Sequence, residues 1–383
     1  MRLPPAIHAE LQSAVNDGVF PGVVLAVRLR GQAPYLAAAG RLSSGSASPP
    51  AEVFTLYDLA SLTKPLVTVT SILMLVQRAE LCLDDPIENR LPELAGSAVG
   101  QASLKDLLTH SSGLPGWRPL YERLYEGTAV KGRVPGCIEP LAARSAVLDL
   151  IRNEPLVYAR GTRSLYSDLG FILLGLLVER VAGVMLDEWY RLAVTDTLGA
   201  APLLFAPISG AGVDSELSTE KAAGIAPTEY DTWRQRLLRG EVHDENAAAL
   251  GGIAGHAGLF GTAEGVLAVS GPWLDAYHGK DSIFSPDLVR RFVARQTNVP
   301  QSSWALGWDT PTKPSSSGSY FSECAFGHLG YTGTSVWVDP IRNLEVVILS
   351  NRVHPTRRNE KIREFRPRIH DLIIREFALS ERG

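Results

Sequence analysis

The sequence predicts an α/β protein of the α+β kind, with one mixed sheet built from both chain termini and interrupted by a mostly helical insertion. Three observations carry this expectation. Strand-like apolar runs are confined to the two ends, apolar residues from 58 to about 255 recur at helical spacing, and no repeat of fixed period suggests a solenoid or propeller. With 383 residues, 45% apolar and 20% charged, the chain can bury a sizeable core in one large domain or two.

Taken in order, Ile7, Leu11, Ala14 and Val15 share a helical face, and Gly18 follows where that helix would end. Residues 22–30 (GVVLAVRLR) and 35–40 (YLAAAG) read as a hairpin about the turn 31–34. The Ser, Gly and Pro-rich stretch 43–50 is a surface loop. Helical patterns follow in SLTKPLVTVTSILMLVQRAEL, SLKDLLTHSSG, AARSAVLDLIRNE and LGFILLGLLVERVAG. Strands return at 305–310 (ALGWDT), around 326–331 (FGHLGY), at 334–340 (TSVWVDP) and at 343–351 (NLEVVILSN), parted by turn residues. A final helix places Ile369, Leu372, Ile373 and Phe377 on one face.

Net charge is −4, from 37 basic and 41 acidic residues, and no run of five like charges occurs. This composition argues against a nucleic-acid tract or a polybasic membrane arm. The longest clean apolar stretch, Phe171 to Val178, falls well short of the roughly 20 residues that span a bilayer, so no membrane span is expected. The first residues lack the apolar core of a secretory signal, which points to a cytoplasmic protein unless a signal was trimmed. Cys82, Cys137 and Cys324 share no metal spacing and read as small, partly buried thiols.

Among only seven lysines, Lys64 stands out, in Asp58-Leu-Ala-Ser61-Leu-Thr-Lys64-Pro65 at the start of a long apolar helix. Positions i and i+3 share a helix face, so the Ser61 hydroxyl and the Lys64 amine can meet. A desolvated lysine can serve as the base that makes a serine nucleophilic. Ser218 and Lys221 repeat the spacing in the polar stretch DSELSTEKAAG, where a solvated lysine stays charged, and Ser218 reads as a loop or cap serine. Two further segments are candidates: Tyr166-Ser167-Asp168, and Gly327-His328-Leu329-Gly330-Tyr331-Thr332-Gly333 between two predicted strands. Alone, Tyr166 would be a core-edge residue, Asp168 a helix N-cap and His328 a structural histidine. Together the three segments can supply the nucleophile, proton shuttle and fixed donors that acyl transfer needs.

Other chemistries find less support. His243, Asp244, Glu245 and Asn246 with His256 lack an HExxH spacing and a third anchored ligand, so a hydrogen-bonded loop at a pocket rim is expected, and neither metal nor other cofactor. The glycine-rich 251–258 lacks the Gly-Lys-Ser/Thr ending of a phosphate loop, and no Gly-x-Ser-x-Gly elbow occurs.

In that chain order, Ser61-x-x-Lys64, Tyr166-Ser167-Asp168 and His328-Leu329-Gly330 resemble the three signature elements of the penicillin-recognising serine hydrolases: class C β-lactamases, DD-peptidases and related esterases. LLTHSSGLP (107–115), GHAGLFGTA (255–263), ALGWD (305–309) and LSNRVHP (349–355) look like the same group, and VHDENA (242–247) resembles a branch that includes muropeptide amidases. The resemblance implies a β-lactamase/transpeptidase-like fold, with an antiparallel sheet subdomain from 1–60 and 256–383 flanked by helices. A mostly helical subdomain would span 61–255, with the active site at the interface. It implies that Ser61 is acylated, Lys64 activates it and Tyr166 shuttles the proton, while the backbone N–H groups of Ser61 and Tyr331 bind the oxyanion. Asp168, His328 and Gly330 would bind substrate.

Two positions depart from the family pattern: Asp168 stands where Asn is usual, and Leu329 where Thr is usual. A serine hydrolase acting on a small ester, peptide-like amide or β-lactam is therefore expected, with a non-catalytic binder of peptidoglycan fragments as the alternative. An Asp168 carboxylate should favour the Lys64 ammonium. His328, largely neutral at pH 7, should regain charge toward pH 6 and improve recognition of anionic β-lactams.

Overall fold

Five consecutive apolar residues, Val23 to Val27, leave no polar face, so the strand they form has to be covered on both sides. The computed structural model describes residues 3–29, 32–126, 138–200, 203–208 and 224–380. In chain order its strands are β1 (Gly22–Leu29), β2 (Tyr35–Gly40), β3 (Tyr57–Asp58), β4 (Leu203–Phe205), β5 (Tyr230–Asp231), β6 (Arg236–Leu237), β7 (Leu259–Gly261), β8 (Phe326–Leu329), β9 (Ser335–Asp339) and β10 (Leu344–Ser350). The main sheet runs β2-β1-β10-β9-β8, antiparallel throughout, so its strands come from both chain ends as expected.

Alternation along β1 divides the core in two. Val23, Leu25 and Val27 pack with Ile7 and Leu11 of the opening helix Pro5–Asn16 and with Phe365 and Ile369 of the last helix, Ile362–Ser380. Val24 and Ala26 join the larger cluster, which contains Val266 and Val269 of the helix Ala263–Tyr277. Each buried valine contributes about 1.5–3 kcal/mol, enough to fix the strand's register, since a one-residue slip would exchange the two faces.

The chain between the sheet's halves is largely helical, and the small sheet β3-β7-β4 lies within it. Residues 60–77 begin as a 3-10 turn (Ala60–Leu62), continue as a π-helical segment (Lys64–Val69) and end as an α-helix (Thr70–Gln77). Pro65 has no N–H to give, and the Thr70 hydroxyl bonds the Pro65 carbonyl across the wide turn at 3.0 Å. This run is long and apolar enough to cross a bilayer, which the eight-residue count above missed. However, 83% of it is buried inside the protein, as a core helix.

Other expectations are corrected. Residues 305–310 form no strand: Ala305 N–H bonds Trp308 O in a tight turn, Gly307 adopts φ +80°, and only the isolated bridges Trp304 to Asp309 and Asp309 to Gly327 remain. A side chain at Gly307 would meet Val69 Cγ2 at 2.2 Å. Cys82 and Cys324 are exposed rather than partly buried. Cys137, Ser218 and Lys221 lie outside the described residues.

Candidate active site

The serine turn is anchored by a buried carboxylate. Asp58, at the end of β3, accepts the Ala60 N–H on Oδ1 (2.8 Å) and the His243 N–H on Oδ2 (2.6 Å). This holds Ala60 at φ +48°, a left-handed conformation unusual for a residue with a side chain, immediately before Ser61. Thr63 closes the turn, bonding Ala60 O at 2.7 Å and accepting the Leu259 N–H at 3.1 Å.

Lys64 is fully buried, and its Nζ donates to three acceptors: Ser61 Oγ at 3.1 Å, Asp168 Oδ1 at 2.6 Å and the His256 carbonyl at 3.0 Å. The last comes from the glycine-rich 251–258 loop, which approaches closely because Gly175 and Gly255 face each other without side chains. An ammonium has three donors, and all three are used here. Burial would lower the lysine's pKa, but the Asp168 carboxylate outweighs it, assisted by Tyr166, and the group is held above its ordinary range. Burial likewise raises the Tyr166 phenol against the pull of the Lys64 ammonium, whose Nζ lies 4.9 Å from the ring centroid. Asp168 thus faces Lys64, while Ser167 is the N-cap, its hydroxyl accepting the Gly170 N–H at 3.3 Å.

Tyr166 is positioned by a residue to which the sequence alone assigned no role. His110, at φ +55°, accepts the Ser167 N–H on Nδ1 at 3.0 Å, and its ring lies 4.6 Å from that of Tyr166 and 4.4 Å from that of Trp304. Burial, reinforced by Lys64 and His328, keeps His110 neutral, with its proton on Nε2. The signal was present in THSSG, where a histidine among small turn residues precedes the Tyr166 segment. Asp58, Trp304, Arg352 and Arg366 also join the site from separate segments.

Opposite Ser61 lies the turn 330–334. The Thr332 and Thr334 hydroxyls bond the Asp58 and Leu59 carbonyls at 2.7 and 2.9 Å, tying this turn to the serine turn. Only glycine fits at 330, where a Cβ would meet Thr334 Oγ1 at 1.9 Å and Leu59 O at 2.6 Å. Among the described residues, neither the Ser61 N–H nor the Tyr331 N–H is paired with a protein acceptor. Ser61, Tyr166, His328, Gly330 and Tyr331 border one cavity of about 360 Å³, together with Trp304, Asp309 and Arg366.

His328 donates from Nδ1 to the Leu329 carbonyl at 2.8 Å, and burial, reinforced by Lys64, pushes its pKa down to about 3. It therefore stays uncharged at pH 6, which corrects the expectation that acid would restore a cation there. Asp309 titrates instead, because burial raises it to about 6. Among the described residues no three His, Cys, Asp or Glu side chains converge as metal ligands. His243 pairs with Glu229 at 2.9 Å and stacks on Tyr331, while His256 pairs with Asp244 at 2.8 Å.

Comparison with known proteins gives the family and the fold. The family model described as beta-lactamase matches residues 7–368. A protein of Escherichia coli K12 named D-alanyl-D-alanine carboxypeptidase is 30% identical over 314 residues, covering 78% of this chain and 70% of its own length. Among solved structures, EstCE1, a hydrolase with promiscuous acyltransferase activity, superposes with a TM-score of 0.69 at 21% identity over 94% of this chain and 97% of that one. A mutant simvastatin synthase from Aspergillus terreus does so with a TM-score of 0.71 at 19% identity, over 98% of this chain and 95% of that one. With its sheet built from both chain ends and a family match that takes in all three signature segments, this chain belongs to the beta-lactamase family of serine hydrolases.

Proposed function

We propose that the protein hydrolyses small esters or peptide-like amides through an acyl-enzyme on Ser61. The observation that carries this reading is the convergence of Ser61 Oγ, Lys64 Nζ and Tyr166 beside a cavity that Ser61, Tyr166 and Tyr331 border. Ser61 Oγ attacks the carbonyl carbon, its proton passes to the Lys64–Tyr166 pair, and the oxyanion forms against the Ser61 and Tyr331 N–H groups. The pair returns the proton to the leaving group as its bond to the carbonyl breaks. Water then attacks the ester on Ser61 by the same route in reverse, releasing the acid.

Lys64 and Tyr166 are both protonated at rest, so one proton must leave the pair before Ser61 can attack. The acidic limb of the rate profile then reports that loss. Neutral His328 and apolar Leu329 give a substrate carboxylate no cation at their own positions, which favours uncharged esters of short acids over penicillins unless Arg352, Arg363 or Arg366 on the same cavity wall takes the carboxylate. Mass spectrometry after exposure to a fluorophosphonate tests the reading: an adduct on Ser61 is expected, and its absence, or an adduct elsewhere, overturns it.

A further inference from the structure

The peptide that carries the Tyr331 N–H, which has no protein acceptor among the described residues, has Gly330 O as its carbonyl. That oxygen accepts the Gly333 N–H at 3.2 Å and Nη2 of Arg366 at 3.0 Å. The same Nη2 donates to Thr334 O at 2.8 Å, and Thr334 O also accepts the Gly330 N–H at 2.7 Å. Arg366 reaches this turn from the last helix and is only 6% exposed. Among the described residues its Nε has no partner and no carboxylate pairs with it.

Holding a buried guanidinium against carbonyls alone is costly, and a neutral amide could bridge the same two oxygens without burying a charge. A cation at the carbonyl end of a peptide does something an amide cannot. It draws electron density along the peptide and strengthens the N–H at the other end as a donor, most effectively where water is excluded. Arg352 differs, since its Nε donates to Tyr331 O at 2.8 Å, which belongs to the next peptide.

We propose that Arg366 is a positioning residue for acyl transfer, its guanidinium polarising the Gly330–Tyr331 peptide so that the Tyr331 N–H binds the developing oxyanion. The proposal rests on the reading of Ser61 and Tyr331 given above. Removing an oxyanion donor costs about 10²–10³ in kcat, and weakening one should cost about tenfold.

The test compares Arg366→Met, Arg366→Gln and Arg366→Lys, each checked for folding by circular dichroism, on a phenyl oxoester and its matching thionoester. The sulfur anion of the thionoester accepts hydrogen bonds poorly. Arg366→Met and Arg366→Gln should lower kcat for the oxoester about tenfold with little change in KM, and lower it much less for the thionoester. Arg366→Lys should recover most of the oxoester rate. Equal losses on both substrates, or a Gln variant as fast as wild type, would overturn the proposal. If the Met variant fails to fold, the Gln and Lys pair decides the matter. A wild-type enzyme that gives no fluorophosphonate adduct on Ser61 removes the underlying reading as well, whereas a normal adduct with unchanged substrate ratios removes only the role of Arg366.

Discussion

Asp168→Asn isolates the interaction that sets the protonation of Lys64. The Asp168 oxygen lies 2.6 Å from Nζ, and asparagine can present an oxygen in the same place without the charge. An opposite charge within about 4–6 Å shifts a pKa by roughly one to three pH units, and here it acts to raise the lysine against its burial. Removing the charge lets burial prevail, so Lys64 loses its proton at lower pH. The acidic limb of kcat/KM for p-nitrophenyl acetate should accordingly move toward acid. At pH 7 the variant should be faster, although by less than the shift implies because a weaker base removes the serine proton less readily. Stability should change in the opposite sense. A lysine held above its unfolded pKa stabilises the fold fully below that value and loses the contribution as pH rises through the folded one, so Asp168→Asn should melt earlier at neutral pH. A pH titration of the rate paired with thermal melts checks both arms. A limb that stays put or moves to higher pH would refute the electrostatic account of Lys64.

Ser61→Ala should abolish ester turnover while leaving the circular dichroism spectrum unchanged, and Ser218→Ala should leave the rate at the wild-type level. Penicillin binding should tighten as pH falls through about 6, because Asp309 then loses its charge while His328 stays neutral. Asp309→Asn should abolish that dependence in a KM titration and His328→Gln should preserve it; the reverse pattern would sink the assignment. His110→Ala leaves the buried Ser167 N–H without its acceptor, which costs about 1–3 kcal/mol in denaturant titration, and should lower kcat more than KM by loosening Tyr166. Gly330→Ala should be more severe, since its Cβ would overlap Thr334 Oγ1, and poor soluble yield or a markedly lowered midpoint is expected.

What was legible in the sequence was whatever is written in local spacing. The hairpin of β1 and β2, the helical face of Ile369, Ile373 and Phe377, and the i, i+3 relation of Ser61 to Lys64 depend on residues close along the chain. The order of the three signature segments was equally local, and it led to the family before any distance was known. Where local pattern competed with a tertiary demand, it failed: residues 305–310 alternate like a strand, yet Gly307 must turn there because Val69 leaves no room for a side chain. The sequence also named Asp168 without showing whether it faces Lys64 or merely caps its helix, and the fold decided this by making Ser167 the cap. The protonation of the site belongs wholly to the tertiary structure. The states of Lys64 and His328 depend on burial and on which charges lie nearby, and those neighbours come from segments 104 and more residues distant in the chain.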